Sequence, residues 1–295
     1  MLRAQYFYGC DCLTREDPEE AIDYLTLAAR RGHDLARFNL ALCQLRGLGT
    51  RRHVRLAAEN MRQVAFRGSH LRARLTWALC LLYGQGVPGH DFKEAVRLLT
   101  ELAGEGDMDA TWYLAHCALN GTGMERDPTA AARHFNTAAK MLHPQATYNL
   151  GWMYAHGLGV PCNWAKAIHF YTQAAERGFA QAQNNLGLCY AFGHAVDVNT
   201  TRAKEFFELS ADGGCIEGEH NLALWHKIAT DRRMQSRLKQ RAELMASLGS
   251  SDRLYDYLSS PLVLMDDFSA VVAHLTFEPF SADASLAELR ADEVE

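Results

Sequence analysis

The sequence predicts an all-α solenoid made of one helix–turn–helix unit repeated along the chain. Three ladders of small residues in the same phase carry this prediction. The first is Ala36, Ala73, Ala110, Ala146, Ala182 and Gly218, at intervals of 36 or 37 residues. The second, half a unit on, is Ala21, Ala57, Ala95, Ala131, Ala167 and Ala203. The third is Ala29, Ala65, Ala103, Ala139, Ala175 and Ala211. A fixed period of this length marks an architecture in which no unit buries its apolar face without its neighbours.

The clearest copy is ATYNLGWMYAHGLGVPCNWAKAIHFYTQAAERG, residues 146–178. Ala146, Leu150 and Tyr154 recur at four-residue steps and form one stripe of a first helix. Gly157 follows where a left-handed cap is needed, and GLGVP turns the chain at a proline that cannot extend a helix. Asn163 is placed to cap the second helix, as are Asp17, Asp91, Asp127 and Asn199 in the other copies. Ala167, Tyr171 and Ala175 make the second stripe. Gly178 closes the unit, as do Gly32, Gly106 and Gly214.

This combination, AxxxLGxxYxxGxGVxxD/NxxxAxxxYxxAAxxG, resembles the Sel-one-like repeat family, a relative of the tetratricopeptide repeats. The resemblance covers about residues 4–230 and is closest at 146–214. It implies a right-handed α-solenoid that holds other proteins together, with no cofactor and no catalytic residues.

In order, residues 1–32 read as a shortened first repeat in which LTREDPEEA replaces the glycine loop. Residues 33–216 read as five repeats. One of them has Leu142 where a glycine would stand, and Pro144 starts the helix that follows. Another has Ala195 in place of the second loop glycine. Residues 217–249 begin a divergent capping repeat whose second helix is rich in arginine. Residues 250–295 read as a helical extension, with DDFSAVVAHLTF as a short helix, and an acidic tail.

Charge is unevenly spread although the net charge is only −5. From Arg30 to Arg74 there are eleven arginines and two acids, Asp34 and Glu59, a balance of +9. Arg46, Arg51, Arg52, Arg55, Arg62, Arg67, Arg72 and Arg74 define a basic patch, readable as an edge for an anionic partner such as RNA or as a solvated face. Residues 252–295 carry ten acids against Arg253 and Arg290, a balance of −8.

Cys43, Cys80, Cys117 and Cys189 each stand seven residues after the anchor alanine, on the inward side of the first helix. Neighbouring copies are expected about 8–10 Å apart, beyond disulfide reach, so these cysteines read as small core residues. The N-terminus MLRAQYFYGCDC lacks the pattern of a signal peptide, and no run of 18 apolar residues occurs. The expectation is an intracellular, soluble protein of a reducing compartment, in the cytosol or an organelle interior.

No HExxH, CxxC, nucleophile elbow, phosphate loop or dinucleotide fingerprint occurs, so neither a metal site nor an enzyme is expected. The candidate contact surface is the face formed by the first helices. Asn149, Asn185 and Asn221 share one position, and by resemblance to tetratricopeptide arrays they are expected to clamp the backbone of an extended peptide. Beside them Trp112, Tyr148, Trp152 and Leu188 are expected to line a partner-binding groove, with internal packing as the competing reading.

Overall fold

The computed structural model describes residues 2–67 and 70–230. The expectations for residues 231–249 and 250–295 lie outside the described residues. Among the described residues there are thirteen α-helices and no strands, so the fold is all-α. Residues 2–102 form one compact unit and residues 103–230 belong to a second.

The first unit contains α1 (Leu2–Thr14), α2 (Pro18–Arg30), α3 (Asp34–Arg46), α4 (Val54–Arg67) and α5 (Leu71–Tyr83). Helix α6 (Phe92–Gly104) runs to its boundary. Helices pack with their chain neighbours, α1 on α2, α2 on α3, α3 on α4 and α4 on α5. The second unit contains α7 (Met108–Asn120), α8 (Pro128–Lys140), α9 (Pro144–His156), α10 (Trp164–Ala175), α11 (Ala180–Phe192), α12 (Thr200–Asp212) and α13 (Ile216–Thr230), packed in the same serial way.

Sequence chemistry explains both ends of each pair. The side chains of Asp17, Asp91, Asp127, Asn163 and Asn199 accept backbone N–H bonds in the first turn of the second helices at 2.9–3.2 Å. First helices end on left-handed glycines, including Gly47, Gly84, Gly121, Gly157 and Gly193, whose N–H groups bond back into the last turn. The second loop glycine answers a different need. A Cβ on Gly159 would lie 2.2 Å from the carbonyl oxygen of Pro128, so this loop seats on the start of the preceding second helix.

The alanines of the first two ladders are all buried at the helix crossings. Gly187 allows an even closer approach, since a Cβ there would come within 2.6 Å of the Phe207 ring. Tyr148, Tyr171, Leu186 and Cys189 form one continuous core across α9, α10 and α11.

Candidate functional site: the face of the first helices

Three first helices, α3, α5 and α9, are held at their start by a histidine that also lies against an aromatic ring of the repeat before it. His33, His70 and His143 accept the N–H of Ala36, Ala73 and Ala146 through Nδ1 at 3.1, 3.1 and 3.2 Å. The same rings lie against Tyr6, Phe38 and Trp112, with centroids 4.5, 4.5 and 5.4 Å apart. At Phe179 a tilted ring contact with Tyr148 remains, with centroids 5.2 Å apart, but there is no capping side chain. Sequence reading missed these caps because histidine is not a usual N-cap. Its recurrence three residues before the anchor alanine was the available signal.

This junction changes the reading of the predicted groove. Trp112, Tyr148, Asn149, Asn185 and Leu188 are 2%, 0%, 0%, 3% and 9% exposed, so none of them lines an open surface. The physical reason is that a first helix packs between its own second helix and the second helix of the repeat before it, and its side chains also reach the preceding first helix. Residues beside the ladder are therefore spent on inter-repeat packing.

The asparagines serve the same packing. Asn149 Nδ2 lies 3.0 Å from His116 Nε2, Asn185 Nδ2 donates to the Tyr148 hydroxyl at 3.4 Å, and Asn221 Nδ2 donates to Asn184 Oδ1 at 2.7 Å. In the first unit Asn39 Nδ2 points to Cys10 Sγ in the same way. An amide that reaches sideways into the previous repeat is occupied as a donor. Its oxygen is not: Asn149 Oδ1 and Asn185 Oδ1 have no hydrogen-bond partner among the described residues, nor do the indole N–H groups of Trp112 and Trp152.

One row of the first helices remains partly open in the second unit. It is open at His116, Trp152 and Leu224 and interrupted by Leu188, each six residues after its anchor. His116 and Trp152 are partly exposed, Leu188 is nearly closed and Leu224 is 43% exposed. The equivalent residues in the first unit, Leu42 and Leu79, are sealed at 0% and 1%. Trp152 stacks on His156 with centroids 4.0 Å apart, and His156 Nδ1 donates to the Trp152 carbonyl at 2.8 Å. Asn221 is also partly exposed. Of the predicted groove residues, then, Trp152 and Asn221 are accessible.

Burial keeps this face uncharged. His116 is pushed down to about 3 by burial, then by the neighbouring His143, so its ring is neutral and Nε2 accepts from Asn149. Burial also lowers His156. Cys80, Cys117 and Cys189 are pushed up to about 12 by burial, as is Cys43, and all eight cysteines are free thiols. Among the described residues no group of His, Cys, Asp and Glu is arranged to hold a metal ion.

The basic segment is partly neutralised. Arg62 pairs with Glu59 at 2.8 Å and holds that carboxyl down at about 2, Arg67 pairs with Asp34 at 3.1 Å, and Arg74 with Glu101 at 3.3 Å. Arg46 is partly buried and Arg72 exposed. Arg51, Arg52 and Arg55 are exposed and make no ion pair among the described residues.

Comparison with known proteins fits this geometry. Six segments match the Sel1 repeat, at residues 2–33, 34–64, 73–107, 109–141, 144–179 and 180–215. The chain belongs to the Sel1 repeat family. Sel1 repeats generally mediate protein–protein interaction, and the family is generally a non-catalytic scaffold. No curated protein matches the sequence.

Among solved structures, a protective antigen of uropathogenic Escherichia coli with an SLR fold is 23% identical, with a TM-score of 0.67, over 88% of this chain. The chain spans 58% of that antigen's length. A Sel1 repeat protein from Oxalobacter formigenes is 21% identical, with a TM-score of 0.68, over 81% of this chain and 96% of its own. At these identities the likeness is one of fold. No described helix is long and apolar enough to cross a membrane.

Proposed function

We propose that this Sel1 repeat chain is a non-catalytic adaptor or structural subunit of a multiprotein complex. It takes a protein partner on the open row of the second unit, centred on Trp152 and extending to Leu224. The observation that carries the reading is the Trp152–His156 stack. It is a large, neutral aromatic surface, partly exposed at a position that leucine seals in the first unit. Rigid aromatic residues with little solvation cost are the usual anchors of protein interfaces. Buried free cysteines on five first helices support a reducing compartment as its setting.

The reading of residues 30–74 as an RNA edge is weaker, because Arg62, Arg67 and Arg74 are already paired with acids. The test is site-specific photocrosslinking in the source cells, with a benzophenone amino acid at position 152 or 224 and a control at Leu56, exposed on α4. Crosslinks to a protein from 152 and 224 but not from 56 are expected. Equal yields from all three sites, or none, would remove the row as the contact surface.

A further inference from the structure

On α1, the face that α3, α5, α7, α9 and α11 keep closed is open. Tyr8 occupies the position held elsewhere by Leu40, Trp77, Leu114, Leu150 and Leu186. Those residues are 1–8% exposed, whereas Tyr8 is 60% exposed. Beside it a cavity of about 250 Å³ is lined by Phe7, Tyr8, Cys10, Asp11 and Thr14. In the same unit Arg51, Arg52 and Arg55 carry exposed charge that no acid of the described residues balances.

One segment of the chain matches both features. In DDFSAVVAHLTF, Phe268, Val271, Val272 and Leu275 fall at i, i+3, i+4 and i+7, the spacing of a single apolar helix stripe. Asp266 and Asp267 precede that stripe where helix-starting acids are favoured. From Asp266 to Glu295 there are eight acids against Arg290, a balance of −7 that complements the basic first unit. The 35 residues between Thr230 and Asp266 span up to about 115 Å when extended, long enough to return to α1.

We propose that residues 266–295 dock on the N-terminal repeat of their own chain. The stripe Phe268, Val271, Val272 and Leu275 fills the α1 cavity as an amphipathic helix fills a groove. The acids that follow lie against Arg51, Arg52 and Arg55. The tail thereby covers the open face of α1, and it occupies the basic edge that an anionic partner would otherwise use.

The test is hydrogen exchange on the full chain, comparing wild type with the double variant Val271→Asp, Leu275→Asp, at two concentrations and with the mass checked by sedimentation. The expected result is monomeric wild type in which the α1 amides exchange at least tenfold more slowly than in the variant, while α9 is unchanged. The reciprocal variant, Tyr8→Asp, changes an exposed side chain and is expected to speed exchange within residues 268–275. Equal α1 exchange in wild type and both variants overturns the proposal. Protection that appears only in a dimer at the higher concentration also overturns it, in favour of a second copy as the occupant.

Discussion

The first helices of the two units differ at one recurring position. In α3 and α5 it is Leu42 and Leu79, both sealed; in α7, α9 and α13 it is His116, Trp152 and Leu224, all at least partly open. The capping asparagines and aspartates, loop glycines and alanine crossings are common to both units. Leucine at this position is buried as Leu188 in α11 and open as Leu224 in α13, so the template makes the repeat, and the side chain at this position together with its neighbours decides whether the face is closed packing or available surface.

The largest expected effect breaks the comparison directly. Leu42→Ala removes a fully buried side chain and should cost about 3 kcal/mol of stability, whereas Leu224→Ala, 43% exposed, should cost less than about 1. Guanidinium unfolding of the two variants measures the difference. Equal losses would mean that the two positions are packed alike.

Acid should weaken the array next. The pKa values of His33, His116, His134, His156 and His194 are lowered in the folded state, chiefly by burial. The folded chain therefore binds fewer protons than the unfolded chain below the ordinary histidine pKa. Stability is complete above about 6.5 and falls as the pH drops toward the folded values. With His116 at about 3, that residue alone accounts for a loss on the order of 2 kcal/mol at pH 5. His116→Gln, which keeps an acceptor for Asn149, should flatten the dependence of the melting temperature between pH 7.5 and 5. An unchanged slope would assign the acid sensitivity elsewhere.

The smallest effect concerns the repeat ends, which the comparison treats as equivalent. Gly32, Gly106, Gly178 and Gly214 close their repeats with φ of 95, 92, 80 and 76°, while Leu142 holds φ 69° with an exposed leucine side chain. Leu142→Gly relieves that conformation and should raise stability by about 0.5–1 kcal/mol after the entropy cost of glycine. A loss would show that the leucine side chain packs usefully.

The fold was legible in the sequence because its determinants are local and repeat. Asn163 caps, Gly157 turns, and Ala146 and Ala167 allow close crossing wherever they recur. The contact face was less legible. Trp112, Tyr148 and Asn149 sit on first helices as Trp152 does, and both aromatic types suit an interface. Periodicity cannot separate them when a first helix is buried on nearly every side, as α11 is. Only the packing of His143 on Trp112 and of Phe179 on Tyr148 shows which aromatics are spent inside. The histidine caps escaped notice for the opposite reason, since their residue type is unusual although their spacing is regular.

The central claim, that Trp152 belongs to a contact surface while Trp112 belongs to the core, is tested most directly by one paired measurement. Partner retention in the purified native complex and the unfolding midpoint would be determined for Trp152→Ala and Trp112→Ala. The account predicts that Trp152→Ala loses at least tenfold in partner retention, with stability reduced by no more than about 1 kcal/mol, whereas Trp112→Ala loses about 3 kcal/mol or more of stability. Full partner retention in Trp152→Ala, or a stability loss there as large as in Trp112→Ala, would contradict it.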